Sequence, residues 1–224
     1  EYIRRQHPTA KRVYCIGGTG LQDELKRVGI DSCGSEDFRA FDPSHFKTLV
    51  ASTREMNYDG VVIGWDLDFC FRKVSQASLV FELGGADTFF YATNDDLADR
   101  LGGCLLPGNG VLMKTVEAAC REVAPDRQGQ SFPYSDKAMV LGKPNPEFAV
   151  FIAEHNKLDL SRACIVGDRL NTDILMGQKA GMRSLFVLTG VSQVSDMIAY
   201  GVLPSFVLPS VASIAETFEM TSNL

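Results

Sequence analysis

The sequence predicts an α/β fold in two parts, the second of them a doubly wound parallel sheet. Short apolar runs alternate with amphipathic stretches along the whole chain, the pattern of strands separated by helices. The runs Ile165-Val166-Gly167 and Leu185–Leu188 are continuous rather than alternating, as strands covered on both faces of a parallel sheet are. Between the halves lies a Pro/Gly/Gln/Ser-rich connection, APDRQGQSFPYSD, which puts a boundary near Ser131 to Lys137.

Taken in order, EYIRRQ reads as the tail of a helix and RVYCIGG as a strand, followed by a helix from about Leu21 to Val28. DGVVIGWD is a strand, Lys73 to Leu83 a helix, and TFFYATN a strand. The turn-rich stretch Leu105–Gly110 leads into a helix from about Val111 to Val123. Beyond Lys137 come AMVLGKPNP, a helix from about Glu147 to Asn156, the strand ACIVGD, and a helix from Thr172 to Ala180. The strand SLFVLTG, a short helix around Ser195 to Tyr200, the strand SFVLP and a final helix complete the chain. Asn171 or Thr172 is placed to cap the Thr172–Ala180 helix, and Gly181 to end it. Gly177, Ala180 and Gly181 are small residues suited to packing.

With 224 residues, 45% hydrophobic and 22% charged, the chain has material for a sizeable core, and its formal charge of -6 argues against a polyanion as principal partner. The basic positions Arg4, Arg5, Lys11 and Arg12 read as a solvated helix face. Six cysteines without a CxxC pair read as buried thiols of a reducing compartment and predict no zinc site. No apolar run approaches a membrane span, and EYIRRQHPTAKR is no secretory signal. His7, His45 and His155 have no partner spacing and are expected at the surface.

The chemistry concentrates in ACIVGDRLNTDI. An apolar run ends on Gly167 and Asp168, and Asp173 falls in the first turn of the helix that follows. Ligands of open α/β sheets gather at the carboxyl ends of strands, and two carboxylates there suit a hard divalent cation. Lys143, bracketed by Gly142 and Pro144 after the run AMVL, is a lysine on a defined stretch of backbone. A second acidic pair, Asp66 and Asp68 in VVIGWDLDF, also follows an apolar strand.

GKPNP, VGDRLNTDI, TG after the next strand and GVS beyond it closely resemble the haloacid-dehalogenase (HAD) superfamily of phosphatases. The branch they resemble holds phosphoglycolate, pyridoxal phosphate and 4-nitrophenyl phosphatases, and YVIG-like, VVxGxD-like and ATN-like elements extend the resemblance into the first half. It implies a partial HAD-like core with a large inserted α/β cap: residues 1–11 ending a core segment, 12–136 forming the cap, and 137–224 the C-terminal part of the core.

The activity implied is Mg²⁺-dependent hydrolysis of a small phosphate monoester through an aspartyl-phosphate. By resemblance Lys143 neutralises charge, Asp168 is a direct Mg²⁺ ligand, and Asp173 is an outer ligand or orients metal-bound water. Asn94 and Asp96, on the cap loop after ATN, become candidates for substrate contact, although DDLADRLGG lacks the proline usual there. The nucleophile motif should precede the first cap strand, and the residues before Arg12 contain none, so the nucleophile is expected in sequence missing here. Asp66 and Asp68 fall where the family carries a cap strand end, which makes Asp66 a loop residue near the cap interface or substrate entrance. The missing first core strand is expected to leave strand edges unpaired. A homodimer through the cap, a cytoplasmic setting and no nucleic acid or membrane partner complete the expectations. The alternative is a non-catalytic binding or dimerising protein that lacks the nucleophile.

Overall fold

The computed structural model describes residues 1–34, 46–84, 87–123 and 138–215, and it divides into two compact units, Glu1–Val140 and Leu141–Leu224. The boundary expected near Ser131 to Lys137, and His45, lie outside the described residues.

In the first unit, helix α1 (Tyr2–Gln6) precedes strand β1 (Arg12–Ile16), helix α2 (Thr19–Arg27) and strand β2 (Asp31–Cys33). Helix α3 (Phe46–Met56), β3 (Gly60–Ile63), α4 (Phe71–Gly84) and β4 (Phe89–Ala92) follow. The hairpin β5 (Ala98–Leu101) and β6 (Cys104–Pro107), helix α5 (Asn109–Val123) and β7 (Met139–Val140) close the unit. The main sheet has the order β2-β1-β3-β4-β7, with parallel pairs throughout. Its chain order reverses between β1 and β3, the doubly wound arrangement that opens a crevice at the carboxyl ends of those strands.

β3 and β4 are buried along their whole length. In α4 the apolar positions Val74, Ala77, Val80 and Phe81 recur at helical spacing and are all buried. They join Tyr14, Ile63, Phe90 and Val116 in one core, where Phe81 meets Phe90 edge-on at 5.2 Å between ring centroids.

The β5–β6 hairpin, β2 and α3 were not expected. In the hairpin Gly102 and Gly103 occupy positive φ (56° and 84°), and Leu101 pairs with Cys104 across them, the geometry of a two-residue turn. A Gly-Gly pair between strands is a legible signal for such a turn.

Three side-chain expectations are corrected here. Arg4 is not a solvated base: it donates from Nε to the Val28 carbonyl (3.1 Å), from Nη2 to Val28 (2.9 Å) and Gly29 (2.7 Å), and from Nη1 to Ala10 (2.8 Å) and Pro8 (3.2 Å). Its planar fork caps the carboxyl end of α2 and ties α1 to β1. His7 is half-buried, stacked on Phe89 at 4.3 Å with Nε2 2.9 Å from the Tyr91 hydroxyl. The cysteines are not uniformly buried: Cys15 and Cys120 are, whereas Cys104 and Cys164 are exposed. Burial pushes the Cys15 and Cys120 thiols up to about 12, so neither is a reactive thiolate.

Burial pushes His7 below its ordinary value of 6.5, with Asp59 drawing it part of the way back. The folded unit then binds this proton less readily than the unfolded chain. Its stability contribution is complete above the ordinary histidine value and is lost as pH falls through that value toward the lower folded one. Denaturant midpoints measured from about pH 7.5 to about pH 5 are expected to fall more steeply for the natural sequence than for His7→Gln.

The second unit contains helix α6 (Pro146–Asn156), a 3₁₀ turn (Leu160–Arg162), β8 (Cys164–Gly167) and a π-type turn (Leu170–Ile174). Helices α7 (Leu175–Lys179) and α8 (Asp196–Tyr200) and strands β9 (Arg183–Val187) and β10 (Phe206–Leu208) complete its described elements. Its sheet is parallel with the order β10-β9-β8. Leu170, Ile174, Phe186 and Val202 form a small core.

β9 is buried from Ser184 to Val187, but β8 is not covered on both faces as its composition suggested. Val166 remains 44% exposed because β8 is the edge of this sheet among the described residues. A run of apolar residues reports a preference for burial and carries no count of neighbouring strands.

Asn145 caps α6, its Oδ1 accepting from Glu147 N at 3.0 Å, with Pro146 in the first turn. Asn145→Ala is expected to lower the stability of the second unit by about 1 kcal/mol, read as a shift in its denaturant midpoint.

The expected Thr172–Ala180 helix is instead the π-type turn followed by α7, and neither Asn171 nor Thr172 caps it. The donors at that end are met otherwise, Leu170 N by Ser192 Oγ at 3.2 Å and Arg169 N by Asp173 Oδ2 at 3.3 Å. Gly181 follows α7 at φ 72°, the left-handed residue expected there.

Candidate functional site

The carboxyl end of β8 carries the acidic corner. Asp168 follows Gly167 directly, and the π-type turn carries Asp173 on its far side. Such turns recur at functional sites because they break regular packing locally. Lys143, which precedes α6, reaches across thirty residues of sequence to place Nζ 2.6 Å from Asp173 Oδ1. Asp173 is largely buried, with side-chain exposure of 10%, whereas Lys143 is half-exposed at 47%. The carboxylate is thus fixed by the fold, and the lysine leans over it from solvent.

Asp168 is held differently. Its Oδ2 accepts from Val191 N at 2.9 Å and its main-chain carbonyl accepts from Ser192 N at 3.1 Å, while Oδ1 has no hydrogen-bond partner among the described residues. A Cβ on Gly190 would lie 1.9 Å from Asp168 Oδ2, and one on Gly167 would lie 2.2 Å from the Cβ of Asp173. Both carboxylates therefore pack directly on glycine backbone, which only a missing side chain allows. Thr172 Oγ1, in the same turn, is buried and has no partner among the described residues.

An ammonium group has three donors, and Asp173 uses one, so Lys143 retains capacity to meet the oxygens of an anion. Asp168, at the same strand end, offers an open carboxylate oxygen. This donor set fits Mg²⁺, which takes one or two protein carboxylates and fills its shell with water and substrate phosphate. The fit is to a partial site, because the described residues gather no group of three or more His, Cys, Asp or Glu.

Asn94 and Asp96 belong to the first unit. Asn94 Oδ1 accepts from Asp96 N at 3.2 Å, its carbonyl accepts from Asn109 Nδ2 at 2.7 Å, and the Asp96 carbonyl accepts from Gly110 N at 2.8 Å. The loop is therefore pinned from its own Asn94 side chain and from the start of α5. Asn109, 1% exposed, was not singled out from the sequence, where PGNG reads only as a turn.

Asp66 lies in the loop after β3. It is buried with Lys73 at 2.6 Å between Nζ and Oδ2, both side chains 5% exposed, and its Oδ1 accepts from Asp68 N at 2.9 Å. Both oxygens are committed internally. Its resemblance to a strand-end DxD pair is therefore structural in origin. Gly190, Val191 and Ser192, within TG and GVS, also contribute to the corner, which the sequence alone does not reveal.

A parallel sheet whose β8 end carries an acidic corner, with a lysine ahead of it, defines a class, and comparison with known proteins gives it a family. The family described as HAD-hyrolase-like matches residues 140–214. Glycerol-3-phosphate phosphatase of Gallus gallus is 31% identical over 97% of this chain and 68% of its own length, and chronophin of Bos taurus 34% identical over 94% and 64%. The chain belongs to the HAD superfamily of phosphatases. Among solved structures, the glycerol phosphate phosphatase of Mycobacterium tuberculosis in complex with magnesium superposes with a TM-score of 0.72 at 26% identity. That match covers 95% of this chain and 54% of the other. The chain thus spans 64% to 68% of the two curated relatives and about half of this structural neighbour.

Among the described residues, no helix is long and apolar enough to cross a membrane.

Proposed function

We propose that this chain carries the charge-neutralising and metal-holding part of a Mg²⁺-dependent phosphomonoesterase that acts on a small phosphorylated metabolite. The observation that supports it most is the 2.6 Å contact of Lys143 with Asp173, at the corner where Asp168 keeps one oxygen open. Lys143 meets negative charge on the phosphoryl group, and Asp173 holds the ammonium in place for it. Asp168 supplies a direct oxygen ligand and Asp173 an outer one. The ion, when bound, polarises the phosphoryl oxygens and offsets charge as it builds in the transition state. Attack by a carboxylate to form an aspartyl-phosphate is part of the proposal, with no residue of this chain assigned to it.

Residues 12–136 are proposed as the cap and 137–224 as part of the core. Asn94 and Asp96 are proposed to contact the substrate, and the cap to mediate a homodimer. A cytoplasmic setting agrees with six cysteines that are all unpaired. Phosphoglycolate and 4-nitrophenyl phosphate represent the substrate type. The names of the relatives favour a phosphatase over a non-catalytic binding protein.

The test is release of phosphate from 4-nitrophenyl phosphate by the natural protein carrying this chain, with and without Mg²⁺. Activity that needs Mg²⁺ and falls by about a hundredfold or more in Lys143→Ala supports the proposal. Activity unchanged by EDTA, or equal in the variant, overturns it.

A further inference from the structure

We propose that the turn Gly190-Val191-Ser192 is the positioning element of the acidic corner, fixing Asp168 so that its Oδ1 alone is presented to a divalent cation. This rests on the proposed role of Asp168 as a metal ligand and adds the residues that aim it.

The turn grips Asp168 at three levels. Val191 N donates to the side-chain Oδ2 at 2.9 Å, and Ser192 N donates to the main-chain carbonyl at 3.1 Å. Ser192 Oγ accepts from the amide of Leu170, two residues further on, at 3.2 Å. Asp168 is thus bracketed at its carboxylate, at its own peptide and at the start of the following turn, by two consecutive residues from beyond β9.

Gly190 makes the grip possible. An added Cβ would lie 1.9 Å from Oδ2 and 2.3 Å from both Cβ and Cγ of Asp168, so any side chain there must displace the aspartate or the turn. Ser192 is buried, which keeps its hydroxyl in the shared position.

An aspartate free to rotate presents either oxygen in several directions. One oxygen tied to a backbone amide leaves a single ligand in a single direction. Partners that orient a metal ligand typically control metal affinity by about tenfold to a hundredfold. The turn is therefore a positioning element, and none of its residues is assigned as a ligand.

The experiment measures Mn²⁺ affinity by electron paramagnetic resonance of the free ion, using the natural protein carrying this chain, with folding checked by circular dichroism. Ser192→Ala is expected to weaken binding about tenfold, Ser192→Thr, which keeps a hydroxyl, to restore it, and Gly190→Ala to weaken it further. Asp168→Asn should abolish it. Loss of binding in Asp168→Asn with wild-type affinity in folded Ser192→Ala and Gly190→Ala overturns the positioning role alone. Absence of Mn²⁺ binding in the natural protein, or binding unchanged in Asp168→Asn, overturns the ligand reading and the positioning role with it. Should Gly190→Ala fail to fold, the Ser192 pair carries the test.

Discussion

Lys73→Met is expected to destabilise the first unit by about 3–5 kcal/mol, the cost of leaving a buried carboxylate without its counter-ion. The Lys73–Asp66 pair is 5% exposed on each side at 2.6 Å, so water cannot take over the role of the missing ammonium. Asp66 has no alternative, since its other oxygen already accepts the amide of Asp68. The double variant Asp66→Asn, Lys73→Met should recover most of the loss. It removes both charges together, and an asparagine Oδ1 can still accept from Asp68 N. Urea unfolding of the single and double variants gives the comparison, and a Lys73→Met loss below about 1 kcal/mol would show that the pair is not tightly coupled.

Lys143→Ala is expected to lower kcat/KM for phosphate release by about 10²–10³, the typical effect of removing one donor aimed at developing charge. Little stability should go with it, because the lysine side chain is 47% exposed and its carboxylate partner keeps a contact with Arg169 N. Lys143→Arg is not expected to restore activity. A planar fork cannot place one compact charge on Asp173 and on an incoming phosphoryl oxygen in the same way. Steady-state kinetics together with denaturant midpoints separate lost chemistry from lost folding.

Why some of this was legible from residues alone, and some was not, has a physical basis. α4 is readable because burial imposes periodicity on the residues that pack, as at Val74, Ala77, Val80 and Phe81, and β3 because a fully buried strand is a continuous apolar run. The strands of the β5–β6 hairpin are not, although Gly102-Gly103 marks the turn between them. They carry exposed Leu105 and Leu106, and no alternation marks a covered face. β8 was read as fully covered although Val166 is exposed, since composition encodes apolarity and carries no information on how many strands flank it. Within the site, Lys143, Asp168 and Asp173 stand out by their motif, whereas the grip of Gly190, Val191 and Ser192 combines two backbone amides, a close backbone approach and a serine hydroxyl that meet Asp168 and Leu170 only once the chain has folded. The buried partner of Asp66 was not legible because Lys73 lies seven residues on, in the next helix.

The five carbonyl contacts of Arg4 bear on how the chain yields to a protease. Exposed connections between elements are ordinarily where a protease cuts first. Here a single guanidinium spans the peptides at Pro8, Ala10, Val28 and Gly29, so cleavage near residue 8 would require α1 to peel away from the end of α2. The segment should therefore resist trypsin for as long as the first unit stays folded, and its first cut should report opening of that unit rather than local fraying.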